Sequence, residues 1–148
     1  MKIFNTLTRK KDEIIKPEGQ PLHLFVCGPT VYDYSHIGHA RTYVVFDTFV
    51  RWLRHINMPV FYLQNITNVD DKIIARAKEE NKNPIRLADF FYTAHLKDME
   101  ALGIDSVNKY APATHFIPDI MKQVKTLLEK DFAYEIGGDG IYFDISKF

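Results

Sequence analysis

One cysteine, Cys27, occurs in 148 residues. That excludes an internal disulfide and predicts a reducing compartment. No window approaches eighteen consecutive apolar residues, and the opening MKIFNTLTRKKDEIIK has no apolar signal core. The expectation is a soluble, cytoplasmic chain with no membrane partner. Asn65-Ile66-Thr67 fits the glycosylation sequon, but without a secretory route the match predicts no glycan. Excess charge of either sign is also missing. Lys plus Arg and Asp plus Glu number 19 each, so there is no electrostatic footprint for nucleic acid, and RNA binding has to be local or come from elsewhere. The one basic run, Arg9-Lys10-Lys11, is followed at once by Asp12-Glu13 and predicts a solvated turn. Repeats and low-complexity stretches are absent.

What remains is an ordinary globular composition, 46% hydrophobic and 14% aromatic. The length suits one domain, burying roughly two-thirds of its unfolded surface. KIFNTLT predicts a short strand, and LHLFVC, a compact apolar run, a buried one. Gly28 and Pro29 stop that run. SHIGHARTYVVFDTFVRWLRHIN, with apolar residues at 37, 40, 44, 49, 50, 53 and 56, predicts a helix with Ser35 as its N-cap. Asn57-Met58-Pro59 ends it, and VFYLQNIT predicts a second strand. Strand, helix and strand in that order make a βαβ unit, with parallel strands and a right-handed crossover. Ligands bind beyond the carboxyl ends of such strands. The loops 28–35 and 65–71 fall on that edge. Further on, DDKIIARAKEE, IRLADFFYTAHLKDMEALG and FIPDIMKQVKTLLEK predict three helices, and FAYEIGGDGIYFDI a hairpin. Its Gly-Gly-Asp-Gly turn lacks the lysine and the following helix of a phosphate loop, and predicts a structural turn. With no closing strand or terminal helix expected at Ser146-Lys147-Phe148, the expectation is a chain cut at its C-terminal side.

Two positions carry chemistry. His36-Ile37-Gly38-His39 opens the long helix, so two imidazoles share one face where unpaired N–H groups and the helix dipole favour anions. Gly38 removes a side chain where a ligand has to approach. Such a site can hold a polyphosphate and stabilise charge on a transferred phosphoryl or adenylyl group. Surface histidines or half a metal site are the blander alternatives for any His-x-x-His pair, and its place in a βαβ unit favours the nucleotide. Cys27, at the end of the first strand, stays open between a small hydrophobe and a reactive or metal-bound thiolate. Zinc wants three or four ligands, and no Cys/His set nearby completes one. His23, His55, His95 and His115 show no metal spacing and are expected as ordinary surface or core residues.

CGPTVYDYSHIGHART resembles the signature of class I aminoacyl-tRNA synthetases, named for His-Ile-Gly-His. Together with KIFNTLTR, NITNVDDKI and YAPATHFIPDI, it is similar to cysteinyl-tRNA synthetases over essentially the whole chain. The resemblance implies an α/β, Rossmann-like (HUP-type) parallel-sheet nucleotide-binding fold. Residues 1–115 would form its first half and 116–148 the start of a connective insertion. It implies activation of L-cysteine by ATP with Mg2+, release of pyrophosphate and transfer of cysteine to tRNA(Cys). On this resemblance Cys27 matches a zinc ligand, the zinc reading the thiolate of the substrate. His36 and His39 match the catalytic histidines at the ATP phosphates, with Gly28, Pro29, Thr30, Gly38 and Arg41 completing that loop and helix start. Thr67 and Asp70 match the second loop beside substrate or adenylate, with helix capping an equal alternative for Asp70. The family's other zinc ligands, its Lys-Met-Ser-Lys-Ser loop and its anticodon-binding helices have no counterpart in these residues. The expectation is therefore an N-terminal catalytic fragment with little activity of its own. The alternatives are a non-catalytic nucleotide- or partner-binding module and a related ligase joining cysteine to an amino sugar.

Overall fold

The computed structural model describes residues 1–148, in two compact units, Met1–Ala111 and Pro112–Phe148. The first unit opens with β1 (Lys2–Asn5) and β2 (Lys10–Glu13), paired antiparallel from Lys2↔Glu13 to Asn5↔Lys10. The charged run expected as a turn is therefore mostly strand. Backbone pairing is indifferent to side-chain charge, and Asp12 is tied in by Asn5 Nδ2 at 2.9 Å and Thr8 Oγ1 at 2.5 Å.

Next comes the predicted βαβ unit: β3 (Leu22–Val26), α1 (Ile37–His55) and β4 (Val60–Ile66). β3 and β4 run parallel, in register from Leu22↔Val60 to Val26↔Gln64. The sheet order is β3-β4-β5, the third strand being β5 (Lys109–Pro112), which the sequence did not announce. The architecture is α/β around a sheet with parallel strands, as expected. β3 is not the buried strand its composition suggests. It is an edge strand with one face covered: Val26 is buried, while Phe25 is 60% exposed. Its inward residues join a core of Tyr43, Val50, Leu53, Tyr62, Met99 and Ile104. Burying such side chains stabilises by about 1.5–3 kcal/mol each.

The covered face of α1 is also turned from the one its apolar residues outline. Tyr43, Asp47, Val50 and Leu53 are buried, whereas Ile37 is 86% exposed. Asp47 is a carboxylate on the inner face because it has partners there. Its Oδ1 accepts from the N–H groups of Asp105 at 3.1 Å and Ser106 at 2.9 Å and from the Ser106 hydroxyl, and Oδ2 from Arg51 at 2.6 Å. Burial pushes its carboxyl up, but the Ser106 and Arg51 hydrogen bonds outweigh it and hold the pKa below the ordinary value.

Two further helices, α2 (Asp71–Glu79) and α3 (Pro84–Ala101), pack a second cluster with Val31, Ile66, Ile73, Leu87 and Phe91. Asn83 caps α3 and Pro84 sits in its first turn, a sound start for a helix. In the second unit, a 3-10 turn (Ala113–Phe116) leads into α4 (Ile117–Glu129), then the hairpin of β6 (Ala133–Ile136) and β7 (Gly140–Phe143). Tyr134 faces Tyr142 across it, and Gly138 turns it with a φ of +79°. No helix is long and apolar enough to cross a membrane.

Candidate active site

The carboxyl ends of β3 and β4 are zipped together past the last strand residues. Gly28 N donates to Asn65 Oδ1 at 2.8 Å, Thr67 N to the Pro29 carbonyl at 3.0 Å, and Val31 N to the Thr67 carbonyl at 3.0 Å. A β-carbon on Gly28 would stand 1.6 Å from the Asn65 carbonyl oxygen. The glycine is thus demanded by the neighbouring backbone. This brace fixes Pro29 and Thr30 and delivers the chain to the start of α1.

There the cap is His36, and not Ser35. Its backbone is extended (φ −117°, ψ 172°), and its Nδ1 accepts from Gly38 N at 3.0 Å. His39 reciprocates, its Nδ1 accepting from His36 N at 3.2 Å. This is a capping box built from two imidazoles in place of hydroxyl and carboxylate. The rings lie 4.1 Å apart. Gly38 serves that arrangement, since a β-carbon there would come within 2.7 Å of His36 Cε1. The space beside Gly38 is taken by the His36 ring, and not kept for a ligand.

The box decides the chemistry of the pair. Each Nδ1 is an acceptor, so each neutral ring carries its proton on Nε2. Burial, and then the charge of His36, lower the pKa of His39. Two N–H donors stand at the helix start, where the macrodipole also favours anions. Two backbone N–H groups at the helix start, those of His36 and Gly38, are spent inside the box.

His36 and His39 line a cavity of about 310 Å³ with Pro29, Thr30, Ser35 and Lys72. Asp33 shares it but is neutralised: the Arg76 hydrogen bond, at 2.8 Å, is the main cause holding its carboxyl below the ordinary value. Three larger grooves, of about 360, 610 and 630 Å³, are lined in part by α3 and contain neither signature histidine. Volume is a poorer guide here than the convergence of donors.

The remaining predicted residues are scattered. Thr67 is held in the bridge to Thr30, and its Oγ1 accepts from Asn65 Nδ2 at 3.3 Å. Asp70 caps α2, accepting from Lys72 N at 2.9 Å. Neither lines the cavity, and Arg41 is exposed one turn further along α1. Cys27 is exposed, which removes the reading as a core hydrophobe; the Tyr43 hydroxyl donates to its carbonyl at 3.4 Å. No group of three or more His, Cys, Asp or Glu residues that could hold a metal ion occurs. One thiol does not make a tetrahedral zinc site, so these residues do not fit that metal by themselves.

His95, expected as an ordinary surface or core residue, is a core residue that also reaches the helix start. His95, 2% exposed on α3, lies with Nδ1 3.1 Å from Ser35 Oγ. Burial, and then the charge of His39, push its pKa down to about 4, and it is neutral. Its only signal is a polar residue on the apolar stripe of Ala88, Phe91 and Met99.

The chain matches the family described as tRNA synthetases class I (C) catalytic domain over residues 14–148. It is 49% identical over 148 residues to a cysteine–tRNA ligase of Thermoplasma acidophilum, covering all of this chain and 32% of that protein. To the cysteine–tRNA ligase of Pyrococcus abyssi it is 47% identical, covering all of this chain and 31% of that one. It thus spans about a third of the length of these relatives. Among solved structures it is similar to Mycobacterium tuberculosis methionyl-tRNA synthetase in complex with methionyl-adenylate. The TM-score is 0.72 at 19% identity, covering 78% of this chain and 23% of that one. The ternary LeuRS–tRNA–LeuAMS complex of Agrobacterium radiobacter aligns with a TM-score of 0.67 at 18% identity, over 80% and 16%. At such identities the likeness is one of fold.

Proposed function

The chain belongs to the family of class I tRNA synthetase (C) catalytic domains, and from that premise we propose that it supplies the nucleotide-binding half of an enzyme that ligates cysteine to tRNA(Cys). The observation that carries this reading is the mutual capping of His36 and His39, which leaves an Nε2–H free on each ring beside the cavity. Its likeness in sequence to cysteine–tRNA ligases supports the choice of amino acid. A single cysteine suits a cytoplasmic enzyme of translation.

In the proposed reaction ATP enters with Mg2+, its phosphates against the start of α1. A carboxylate oxygen of L-cysteine attacks the α-phosphorus, the bond to the bridging oxygen breaks, and pyrophosphate leaves. Negative charge grows on the α-phosphate oxygens in the transition state. The Nε2–H groups of His36 and His39 donate to that charge, and their hold strengthens as it develops. Neutral donors suit this better than fixed cations, because they need not be desolvated as ions. Pro29 and Thr30 shape the wall of the site, Gly38 makes room for the His36 ring, and Gly28 braces the loop. Thr67 and Asp70 are proposed to border the amino acid or adenylate from the β4 side, and Arg41 to meet the nucleotide from α1. Cys27 is proposed as one thiolate donor to a zinc ion whose other donors these 148 residues do not supply. The segment 116–148 is proposed as the start of a connective insertion.

Calorimetric titration of the 148-residue chain with ATP and Mg2+ tests the reading. Saturable binding, weakened about tenfold or more in His39→Ala by loss of a donor to a charged group, is expected. No heat beyond dilution, or identical binding in that variant, would sink it.

A further inference from the structure

Ser35 immediately precedes the capping residue, and its Oγ meets His95 Nδ1, 60 residues further along the chain, at 3.1 Å. The same imidazole packs edge-on against Tyr43, with centroids 5.5 Å apart. Tyr43 in turn stacks on His39 at 6.4 Å and 17°. One buried ring on α3 therefore bears on the helix start from two sides, through Ser35 ahead of His36 and through Tyr43 one turn beyond His39. This has a cost. His95 Nε2 is buried with no hydrogen-bond partner, and a Leu or Phe among Ala88, Phe91 and Met99 would avoid that penalty. A demand at Nδ1 accounts for a histidine where an apolar residue would pack at least as well.

We propose that His95 is a positioning residue, which through Ser35 and Tyr43 holds the two signature imidazoles in their reciprocal cap with Nε2–H free. Its consequence for the ligand rests on the nucleotide reading above; its geometry does not. His95 does not line the cavity itself; it reaches Ser35 in the wall directly and His39 by way of Tyr43. Losing it should loosen the aim of His36 and His39 without opening the core.

The test reads the cap itself. In the uniformly 15N-labelled chain at pH 8, without ligand, scalar coupling across each N–H···N hydrogen bond reports the Gly38-to-His36 and His36-to-His39 contacts. Both couplings are expected in the wild type. Ser35→Ala and His95→Phe should abolish or sharply reduce them. His95→Asn, whose amide can occupy the place of Nδ1, should keep them, whereas His95→Gln, reaching the place of Nε2, should not. On the same samples the ATP dissociation constant should rise about fivefold in Ser35→Ala and His95→Phe, the effect of one net hydrogen bond. The thermal midpoint of His95→Phe should hold or rise, because an unsatisfied nitrogen is gone. Should His95→Phe fail to fold, Ser35→Ala, a one-oxygen change on a half-buried residue, decides alone. Couplings unchanged in Ser35→Ala overturn the proposal, as does equal behaviour of the Asn and Gln variants. If ATP fails to bind even the wild type while the couplings respond as stated, the nucleotide reading falls and the positioning role stands.

Discussion

The Asn65 carbonyl oxygen and Gly28 approach so closely that a β-carbon on the glycine would lie 1.6 Å from that oxygen. Asn65 also binds Gly28 with its side chain, at 2.8 Å. The ends of two parallel strands are thereby locked, and the loop that carries the signature starts from a fixed point.

Gly28→Ala should therefore be among the most damaging single-methyl changes available. The atom in the way is backbone in the middle of a sheet edge, which cannot swing aside. A loss of about 3 kcal/mol or more in denaturant unfolding is expected, in the range reserved for overpacking and broken networks. A loss below about 1 kcal/mol would mean that the strand ends part readily.

Gly38→Ala should behave differently, since the obstacle is the His36 imidazole, at 2.7 Å. A side chain can rotate away. The helix gains about 0.5–1 kcal/mol from replacing glycine and loses about 0.5–2 kcal/mol with the cap. Stability should then fall by no more than about 1.5 kcal/mol, while ATP affinity falls about tenfold as His36 loses its orientation. Calorimetry beside thermal unfolding separates the two effects.

His95 and His39 both have lowered pKa values in the folded chain. The unfolded chain then binds more protons as pH drops below the ordinary histidine range. Stability from these groups is present above about 6.5 and lost as pH falls toward the folded value of about 4 for His95. For His95 alone the difference corresponds to about 3 kcal/mol. The groups around it are Ser35, Tyr43 and Tyr110, with His39 and Asp98 acting through charge. Urea unfolding at pH 7 and pH 5 should show the decline, and His95→Phe should lessen it. An identical slope in that variant would place the pH dependence elsewhere.

Asp47→Ala removes the acceptor of three hydrogen bonds from residues 105 and 106 and leaves their N–H groups without it. A cost of about 3 kcal/mol is expected. Asp47→Asn, which keeps an acceptor oxygen, should recover part of it. Equal losses in both would mean that charge, and not hydrogen bonding, holds this join.

The βαβ frame was legible because LHLFVC and VFYLQNIT are apolar runs closed by Gly, Pro and Asn, each matching a mechanical stop. β2 and β5 were not. Lys10–Glu13 is wholly charged, and Lys109–Pro112 ends in proline, so both strands exist through backbone pairing or tertiary context that side-chain periodicity does not encode. The inner face of α1 departs from its apolar outline for a similar reason, since Asp47 is buried by partners 58 and 59 residues away. Within the site the His-x-x-His pair stood out, but its reciprocal cap did not. Imidazole is an uncommon capping group, and Ser35 is the residue that capping preferences select. His95 has no spacing relation to the signature and becomes visible only when α3 is folded against α1.

In the proposed function the Nε2–H groups of His36 and His39 receive the phosphates of a nucleotide. The most direct measurement follows the six histidine imidazoles by 15N correlation spectroscopy while ATP and Mg2+ are added to the 148-residue chain. The Nε2–H signals of His36 and His39 should shift and saturate together, while those of His23, His55 and His115 stay in place. Saturable binding that leaves both signature imidazoles unmoved would contradict that function.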